Sequence, residues 1–247
     1  MINNQINIFG LNINVLDNND LLDNISGAVG SGSNICIAYA NAHILNGVYS
    51  DKILRDGLNS FDIIHPDGIG VLLASKIIFG SSGLKKRFNG SDFYPYLAAS
   101  AAENKWKVFF FGHDVNTLDK IKYHFPGIVI AGINEGYEFN DDDLIKKIND
   151  SSPDILIIGL GFPRQELWLE KNRDKINAKV SILSGDGIKI FAGTKRRGPE
   201  FIRNIGFEWL FRLIIHPVLY FKRYFIGNPL FLYRIFKYKL SNLLKKQ

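Results

Sequence analysis

The stretch DILIIGLGFPRQELW, residues 154–168, contains the local pattern that decides the fold. An apolar run leads into a turn with Gly159 and Gly161, and Pro163 then stands near the first position of a helix. Proline suits that position because its missing N–H would have no helical partner there. A buried strand, a glycine-rich turn and a helix in this order predict a βα unit of a parallel sheet.

Similar apolar runs bounded by turn residues recur along the chain. They predict strands at 34–40, 61–66, 107–112, 127–132, 154–161 and 179–185. The stretches between them predict helices at 42–59, 91–104, 115–125, 141–149 and 163–176. Because runs that are apolar throughout are typical of strands covered on both faces, helices should lie on both sides of the sheet. The sequence therefore predicts an α/β fold with a Rossmann-like, mainly parallel sheet and a helical C-terminal appendage.

Length and cysteine content narrow the class of protein. The 247 residues suit one large domain better than two. A single cysteine, Cys36, excludes an internal disulfide and favours a buried thiol in a reducing compartment. The N-terminus lacks the basic start and apolar core of an export signal, and no run of about 18 apolar residues predicts a membrane span. We expect a cytoplasmic location.

Basic charge and aromatic residues are concentrated at the C-terminal end. Residues 207–247 contain eight Lys and Arg against one acidic residue, together with 11 aromatic residues. Such a segment can lie on an anionic membrane, bind nucleic acid or form a plain docked helix pair. Its large apolar side chains favour the membrane. We place the core at 1–195 and the appendage at 196–247, with Pro217 and Pro229 dividing the appendage into short helices.

Polar residues follow several predicted strands, at the edge where α/β sheets collect ligands. They include Asn41, Asp67, Gly112 and the turn from Gly161 through Pro163 and Arg164 to Gln165. A partly desolvated Asp67 can accept a proton as a general base, although an aspartate there can equally cap the next helix.

The turn at 159–165 can bind an anion at the start of its helix or be a tight connection without a ligand. It lacks the GK[ST] ending of a Walker loop and does not match G-x-G-x-x-G. The missing fingerprint argues against a Rossmann dehydrogenase.

The sequence indicates neither a metal nor a cofactor. Asn140 followed by three aspartates resembles an acidic metal cluster, but an N-cap with acidic residues in the first turn explains it better. The five histidines have no zinc-type spacing and no cysteine partners. We expect no protein metal site.

Seven ordered motifs carry a family resemblance: Asn41 after the first strand, then PDGIG (66–70), RFNGSDF (87–93), EGYEF (135–139), GFPRQELW (161–168), FAGTKRRGPEF (191–201) and GFEWLFRL (206–213). In these motifs the chain resembles the WecG/TagA/CpsF family of bacterial glycosyltransferases. The resemblance covers nearly the whole chain, from about residue 34 to 224.

The resemblance implies an inverting, metal-independent transfer from a UDP-sugar to a sugar on undecaprenyl diphosphate. The sugar is N-acetylmannosamine, its uronate or another hexose, and the products serve teichoic acid, common antigen, capsule or exopolysaccharide. The implied place is the inner face of the cell membrane. The large apolar residues of the appendage favour a membrane over nucleic acid, and the sequence leaves open whether the protein is a monomer or a small homo-oligomer.

The resemblance also implies roles for individual residues. Asp67 becomes the general base and Arg212 a cation on the diphosphate. The implied substrate contacts are Asn41, Arg87, Gly136, Tyr137 and Gln165.

The chain departs from the family pattern at several positions. Tyr39 stands where the family usually has threonine, which would narrow or reshape the site, and Lys189 replaces an aspartate. Leu219 replaces an arginine, so that Lys222 and Arg223 are the nearest cations. His216 replaces a glutamate. A catalytically silent, membrane-associated nucleotide-sugar-binding or scaffold protein of the same pathway is therefore the alternative hypothesis.

Overall fold

The computed structural model describes residues 4–244. In chain order the strands are β1 (Gln5–Ile8), β2 (Leu11–Asn14), β3 (Ile35–Ala40), β4 (Ile63–Pro66), β5 (Lys107–Gly112), β6 (Val129–Asn134), β7 (Ile155–Gly159) and β8 (Val180–Leu183). Strands β3 to β8 form a six-stranded sheet in the order β4-β3-β8-β7-β5-β6, in which every neighbouring pair is parallel. All six predicted strands and the predicted fold class are confirmed.

The helices of the first half of the chain lie between these strands. They are α1 (Asn18–Ser31), α2 (Ala42–Ser50), α3 (Lys52–Asn59), α4 (Gly68–Phe79), α5 (Gly90–Glu103), α6 (Val115–Asp119) and α7 (Ile121–His124). The helix predicted at 42–59 is wrong as a single element. Asp51 adopts an extended backbone between α2 and α3, and its side chain accepts a hydrogen bond from the Leu54 N–H. The stretch at 115–125 likewise forms two short helices.

The second half contains α8 (Asp141–Ser151), α9 (Arg164–Asn172), α10 (Ile188–Phe191), α11 (Glu200–Asn204), α12 (Glu208–Ile215), α13 (Pro217–Phe221) and α14 (Gly227–Leu244). A π-helical segment, Lys222–Ile226, joins the last two. Pro217 opens α13 as predicted. The prediction that Pro229 also separates two helices is wrong, because Pro229 lies in the first turn of α14, where no intrahelical N–H bond is needed.

The core has two apolar layers, one on each face of the sheet. In β7, Leu156 and Ile158 join the cluster on one face, whereas Ile155 and Ile157 join the cluster on the other. This alternation explains why the strands are apolar throughout, and it places helices on both faces.

The N-terminal hairpin is an element that the sequence analysis missed. Phe9 and Gly10 both have positive φ angles, of 59° and 83°, as a type I′ turn between β1 and β2 requires. Asn14 then accepts a hydrogen bond from the Ile64 N–H at 2.8 Å, which ties the hairpin to β4.

The C-terminal helix α14 is packed onto the α/β core. Phe231 and Ile235 are buried in the same apolar cluster as the strands. Arg234 donates to the carbonyl of Asn46 at 2.7 Å, and the Asn46 amide donates to the Gly227 carbonyl at 2.8 Å. The boundary at residue 195 stays a prediction. In the part of the chain that the structure describes, no helix has the length and apolar character needed to cross a bilayer.

Candidate active site

A cavity of about 760 Å³ opens where strands β3, β4, β7 and β8 end and the C-terminal helices fold over them. Its volume lies within the range of pockets that hold small-molecule ligands. The site residues predicted from the sequence that line it are Tyr39, Asn41, Asp67, Arg87, Gly161, Gln165, Arg212 and Arg223. The structure thus brings residues from opposite ends of the chain to one cavity.

Asp67 occupies the residue before α4, yet its side chain makes no capping hydrogen bond to that helix. Its Oδ1 instead accepts from the Gly90 N–H at 2.9 Å, and its own N–H donates to the Ala40 carbonyl at 2.7 Å. These contacts fix the carboxylate at the cavity wall. The capping alternative considered above is therefore wrong.

Asn41, which follows β3 at the same edge of the sheet, is the N-cap of α2. Its side-chain oxygen accepts from the N–H groups of His43 and Ile44, at 3.0 and 3.1 Å, and so caps α2. Because the oxygen is engaged, the amide NH₂ is the group of Asn41 that remains to contact a ligand in the cavity.

Gln165 fixes the loop that follows β8. Its Oε1 accepts from the Gly185 N–H at 3.0 Å, and its Nε2 donates to Glu166 Oε1 at 3.0 Å. Gly185 has a φ of +53° in that loop. Burial raises the pKa of Glu166 to about 7. Gln165 therefore shapes the cavity wall as well as lining it.

Tyr39 and His65 form a buried layer beside Asp67. The two rings meet edge to face, with their centroids 5.7 Å apart. A Cβ at Gly90 would lie 3.0 Å from the Tyr39 ring, so a larger residue at position 90 would require the ring to shift. Burial lowers the pKa of His65 to about 4, so His65 is neutral at pH 7. Among residues 4–244 the Tyr39 hydroxyl has no hydrogen-bond partner.

Glu208 connects the appendage to the core. It accepts from Arg212 Nη2 at 2.6 Å and from Asn89 Nδ2 at 3.1 Å, and Arg197 Nη2 lies 3.7 Å away. Burial acts to raise the pKa of Glu208, but the charge and hydrogen bond of Arg212 outweigh it and hold the pKa at about 2. Arg212 is consequently held at the cavity wall by a charged partner.

Lys195 and Asp186 also line the cavity, and the sequence analysis did not select them. Lys195 Nζ lies 3.2 Å from Asp186 Oδ2. Burial, together with the charge of Arg212, lowers the pKa of Lys195 to about 8. In the sequence, Lys195 is recognisable as the first residue of the basic run 195–197. The sequence alone did not show that this run lies next to the cavity.

Comparison with known proteins identifies the family of the chain. The family model described as "Glycosyl transferase WecG/TagA/CpsF family" matches residues 6–245. The chain belongs to the WecG/TagA/CpsF family. It is accordingly a glycosyltransferase, and the dehydrogenase alternative is set aside.

Relatives in the WecG/TagA/CpsF family share the name N-acetylglucosaminyldiphosphoundecaprenol N-acetyl-beta-D-mannosaminyltransferase. The Bacillus spizizenii protein is 34% identical over 189 residues, which cover 75% of this chain and 72% of the relative. The Bacillus subtilis protein is 32% identical over 185 residues, covering 73% and 72%. A Staphylococcus aureus protein is 30% identical over 217 residues, covering 85% and 82%.

Two of the glycines predicted as substrate contacts, Gly112 and the motif glycine Gly136, lie in close backbone packing and are not among the described residues that line the cavity. A Cβ at Gly136 would lie 2.7 Å from the Gly112 Cα, and a Cβ at Gly112 would lie 2.5 Å from the Gly159 backbone. Sterics therefore explain both glycines. Their predicted role as substrate contacts stays a prediction.

Four other residues that were predicted as substrate contacts are also not among the described residues that line the cavity: Tyr137, Pro163, Arg164 and Lys222. Tyr137 is exposed, and its carbonyl accepts from Arg164 Nη2 at 3.4 Å. Pro163 immediately precedes α9, and Lys222 is exposed on the π-helical segment. For all four, substrate contact stays a prediction.

The acidic run at the start of α8 is a helix cap, as predicted. Asn140 Oδ1 accepts from the N–H groups of Asp142 and Asp143, and Asp141 pairs with Lys171. Within residues 4–244, no three His, Cys, Asp or Glu side chains are grouped so that they could hold a metal ion. Independence from metals stays a prediction for this family member.

Proposed function

We propose that the chain is an inverting glycosyltransferase that moves a sugar from a UDP donor to a sugar on undecaprenyl diphosphate. The observation that carries the proposal is that the Asp67 carboxylate and the appendage cations Arg212 and Arg223 line one cavity. The names of the relatives support this acceptor, because they specify N-acetylglucosaminyl-diphosphoundecaprenol. The proposed donor sugar is N-acetylmannosamine, with its uronate or another hexose as alternatives.

In the proposed reaction Asp67 acts as the general base. It takes the proton of an acceptor hydroxyl as that oxygen bonds to the anomeric carbon, and the bond from this carbon to the UDP oxygen breaks. Attack from the face opposite UDP inverts the anomeric centre. The single hydrogen bond from Gly90 leaves the other carboxylate oxygen, Oδ2, available to receive the proton.

The departing UDP gains negative charge, which cationic side chains can stabilise without a metal. Arg212 and Lys195 lie at the wall of the cavity, and Arg223 approaches from the π-helical segment. Burial, and to a smaller extent the positive charge of Arg223, lowers the pKa of His43 to about 4, so Arg223 is close enough to act on groups in the cavity. The three cations are therefore proposed to surround the diphosphate of the donor.

A transfer assay tests the proposal. Purified protein is incubated with UDP-N-acetylmannosamine, its uronate or other UDP-hexoses, with and without a water-soluble N-acetylglucosaminyl-diphospholipid analogue. We expect UDP release that depends on the acceptor and persists in a metal chelator. Binding of UDP-sugars without any acceptor-dependent release would instead favour the catalytically silent nucleotide-sugar-binding protein.

We further propose that the appendage rests on the inner face of the cell membrane. Ile214, Val218, Phe221 and Phe225 are exposed large apolar residues of the appendage. Val218 is 94% exposed. Lys222 lies beside them, and each basic residue near an anionic surface contributes about 1 kcal/mol of attraction. Apolar contact and charge act together at such a surface.

Replacing Val218 and Phe221 by glutamate is expected to weaken vesicle binding at least about tenfold, because burying each such side chain contributes about 1.5–3 kcal/mol. Co-sedimentation with vesicles of phosphatidylglycerol and phosphatidylcholine measures the effect. Ile53→Glu is the control, since Ile53 is 81% exposed on α3 and is not part of the appendage. Undiminished binding of the double variant would place the membrane contact elsewhere.

A further inference from the structure

A second cavity lies on the other side of the Lys195 region. It has a volume of about 260 Å³ and is enclosed by the α10 region and helices α12 and α13. Asp186, Lys195 and Arg212 line both cavities, so that these three side chains form a shared wall. The two cavities are therefore neighbouring compartments of one site.

The second cavity is lined by an excess of cations. Lys189, Lys195, Arg196 and Arg212 line it, whereas Asp186 is the acidic residue among its described lining. Asp186 lies 3.2 Å from each of the two lysine Nζ atoms, so one carboxylate faces several positive charges. The side chain of Lys195 is only 8% exposed. Lys195 is thus buried, whereas Lys189 and Arg196 are more open to solvent. An excess of positive charge in a partly buried cavity favours an anionic ligand.

Size and surroundings narrow the class of anion. Pockets for drug-sized ligands start at roughly 300 Å³, so the second cavity suits a diphosphate better than a whole nucleotide-sugar. Leu219 lines the cavity and is 70% exposed, next to the fully projecting Val218. The cation-lined cavity therefore opens beside exposed apolar residues of the surface that faces the proposed membrane.

We propose that the second cavity binds the diphosphate of the lipid-linked acceptor, an inference that rests on the proposed function. The polyprenyl chain leaves past Leu219 toward the membrane, and the acceptor sugar reaches Asp67 across the shared wall. Lys189 and Arg196 line only the second cavity, so they contact the acceptor and not the donor. The lysine at 189 is thus a binding residue rather than an obstacle to the donor.

The double variant Lys189→Gln/Arg196→Gln tests this assignment in the transfer assay. We expect the KM for the diphospholipid acceptor to rise at least about tenfold, since hydrogen bonds to charged groups are the stronger class. The KM for the UDP-sugar should change much less. Lys52→Gln/Lys122→Gln is the matched control, because both lysines are exposed and lie outside either cavity. An increase in the donor KM alone, or no change in either KM, would overturn the proposal.

Binding of inorganic pyrophosphate gives a test that needs no turnover. With UDP present to occupy the main cavity, calorimetry should detect pyrophosphate binding to the unaltered protein and at least about tenfold weaker binding to the double variant. Equal binding by both proteins would refute the site even if transfer occurs. If the unaltered protein binds pyrophosphate and the double variant does not, but the unaltered protein transfers no sugar, the proposed function is refuted and the anion site is retained.

A membrane phospholipid headgroup is the other source of phosphate near this cavity. The double variant and the unaltered protein are therefore also compared for binding to phosphatidylglycerol vesicles. If the variant loses vesicle binding while its KM for a water-soluble acceptor stays normal, the cavity holds a headgroup and the proposal is wrong. A raised acceptor KM with vesicle binding retained supports the acceptor.

Discussion

Replacement of Asp67 by asparagine is expected to lower the rate of sugar transfer by about 10²- to 10⁴-fold, the contribution typical of a general base. The amide has no basic oxygen for the proton of the acceptor hydroxyl. Asparagine can still accept the hydrogen bond from the Gly90 N–H, which Asp67 Oδ1 accepts at 2.9 Å, so the local backbone should keep its shape. Steady-state kinetics for donor and acceptor measure the loss.

Binding measurements separate lost chemistry from lost structure. The dissociation constant for UDP should remain within about fivefold in the Asp67→Asn variant, which corresponds to a change below about 1 kcal/mol. Asp62→Asn is a matched control, since Asp62 also accepts a backbone hydrogen bond, from Cys36 N at 2.8 Å, but lies outside the cavity. Normal turnover by Asp67→Asn would remove the proposed base.

The sheet was predictable because its strands have a strong local signal. Phe109, Phe110 and Phe111 are all fully buried, as is typical of a short strand covered on both faces. The hairpin was not predicted because β1 and β2 have four residues each. Its turn signal, Gly10 after Phe9, is correspondingly weak.

The candidate site was predictable only in part. Asp67 follows a buried strand, so topology alone places it at the ligand edge of the sheet. Lys195 and Asp186 come together through the fold of the segment after β8, where no regular periodicity exists to be recognised. Local sequence also cannot decide how Gly136 is used, since its close approach to Gly112 is a contact between distant turns.

The appendage gives the second large expected effect. Arg212→Gln should lower kcat by about 10²- to 10³-fold, the range found when one preorganised donor to a developing negative charge is removed. The fold should survive the change, because Asn89 and Arg197 remain near the Glu208 carboxylate. Thermal unfolding of the variant checks that expectation, and single-turnover kinetics measure the chemical step.

Two comparisons distinguish charge stabilisation from simple docking of the appendage. Arg234→Gln removes another appendage arginine, which bonds to Asn46 and Ser50 but does not line either cavity, and should alter kcat only severalfold. Glu208→Gln removes the partner that holds Arg212 while keeping the cation, so it should cost less activity than Arg212→Gln. If all three variants lost activity equally, the arginine at 212 would serve to dock the appendage. A loss confined mainly to Arg212→Gln would mean that its charge acts on the departing diphosphate.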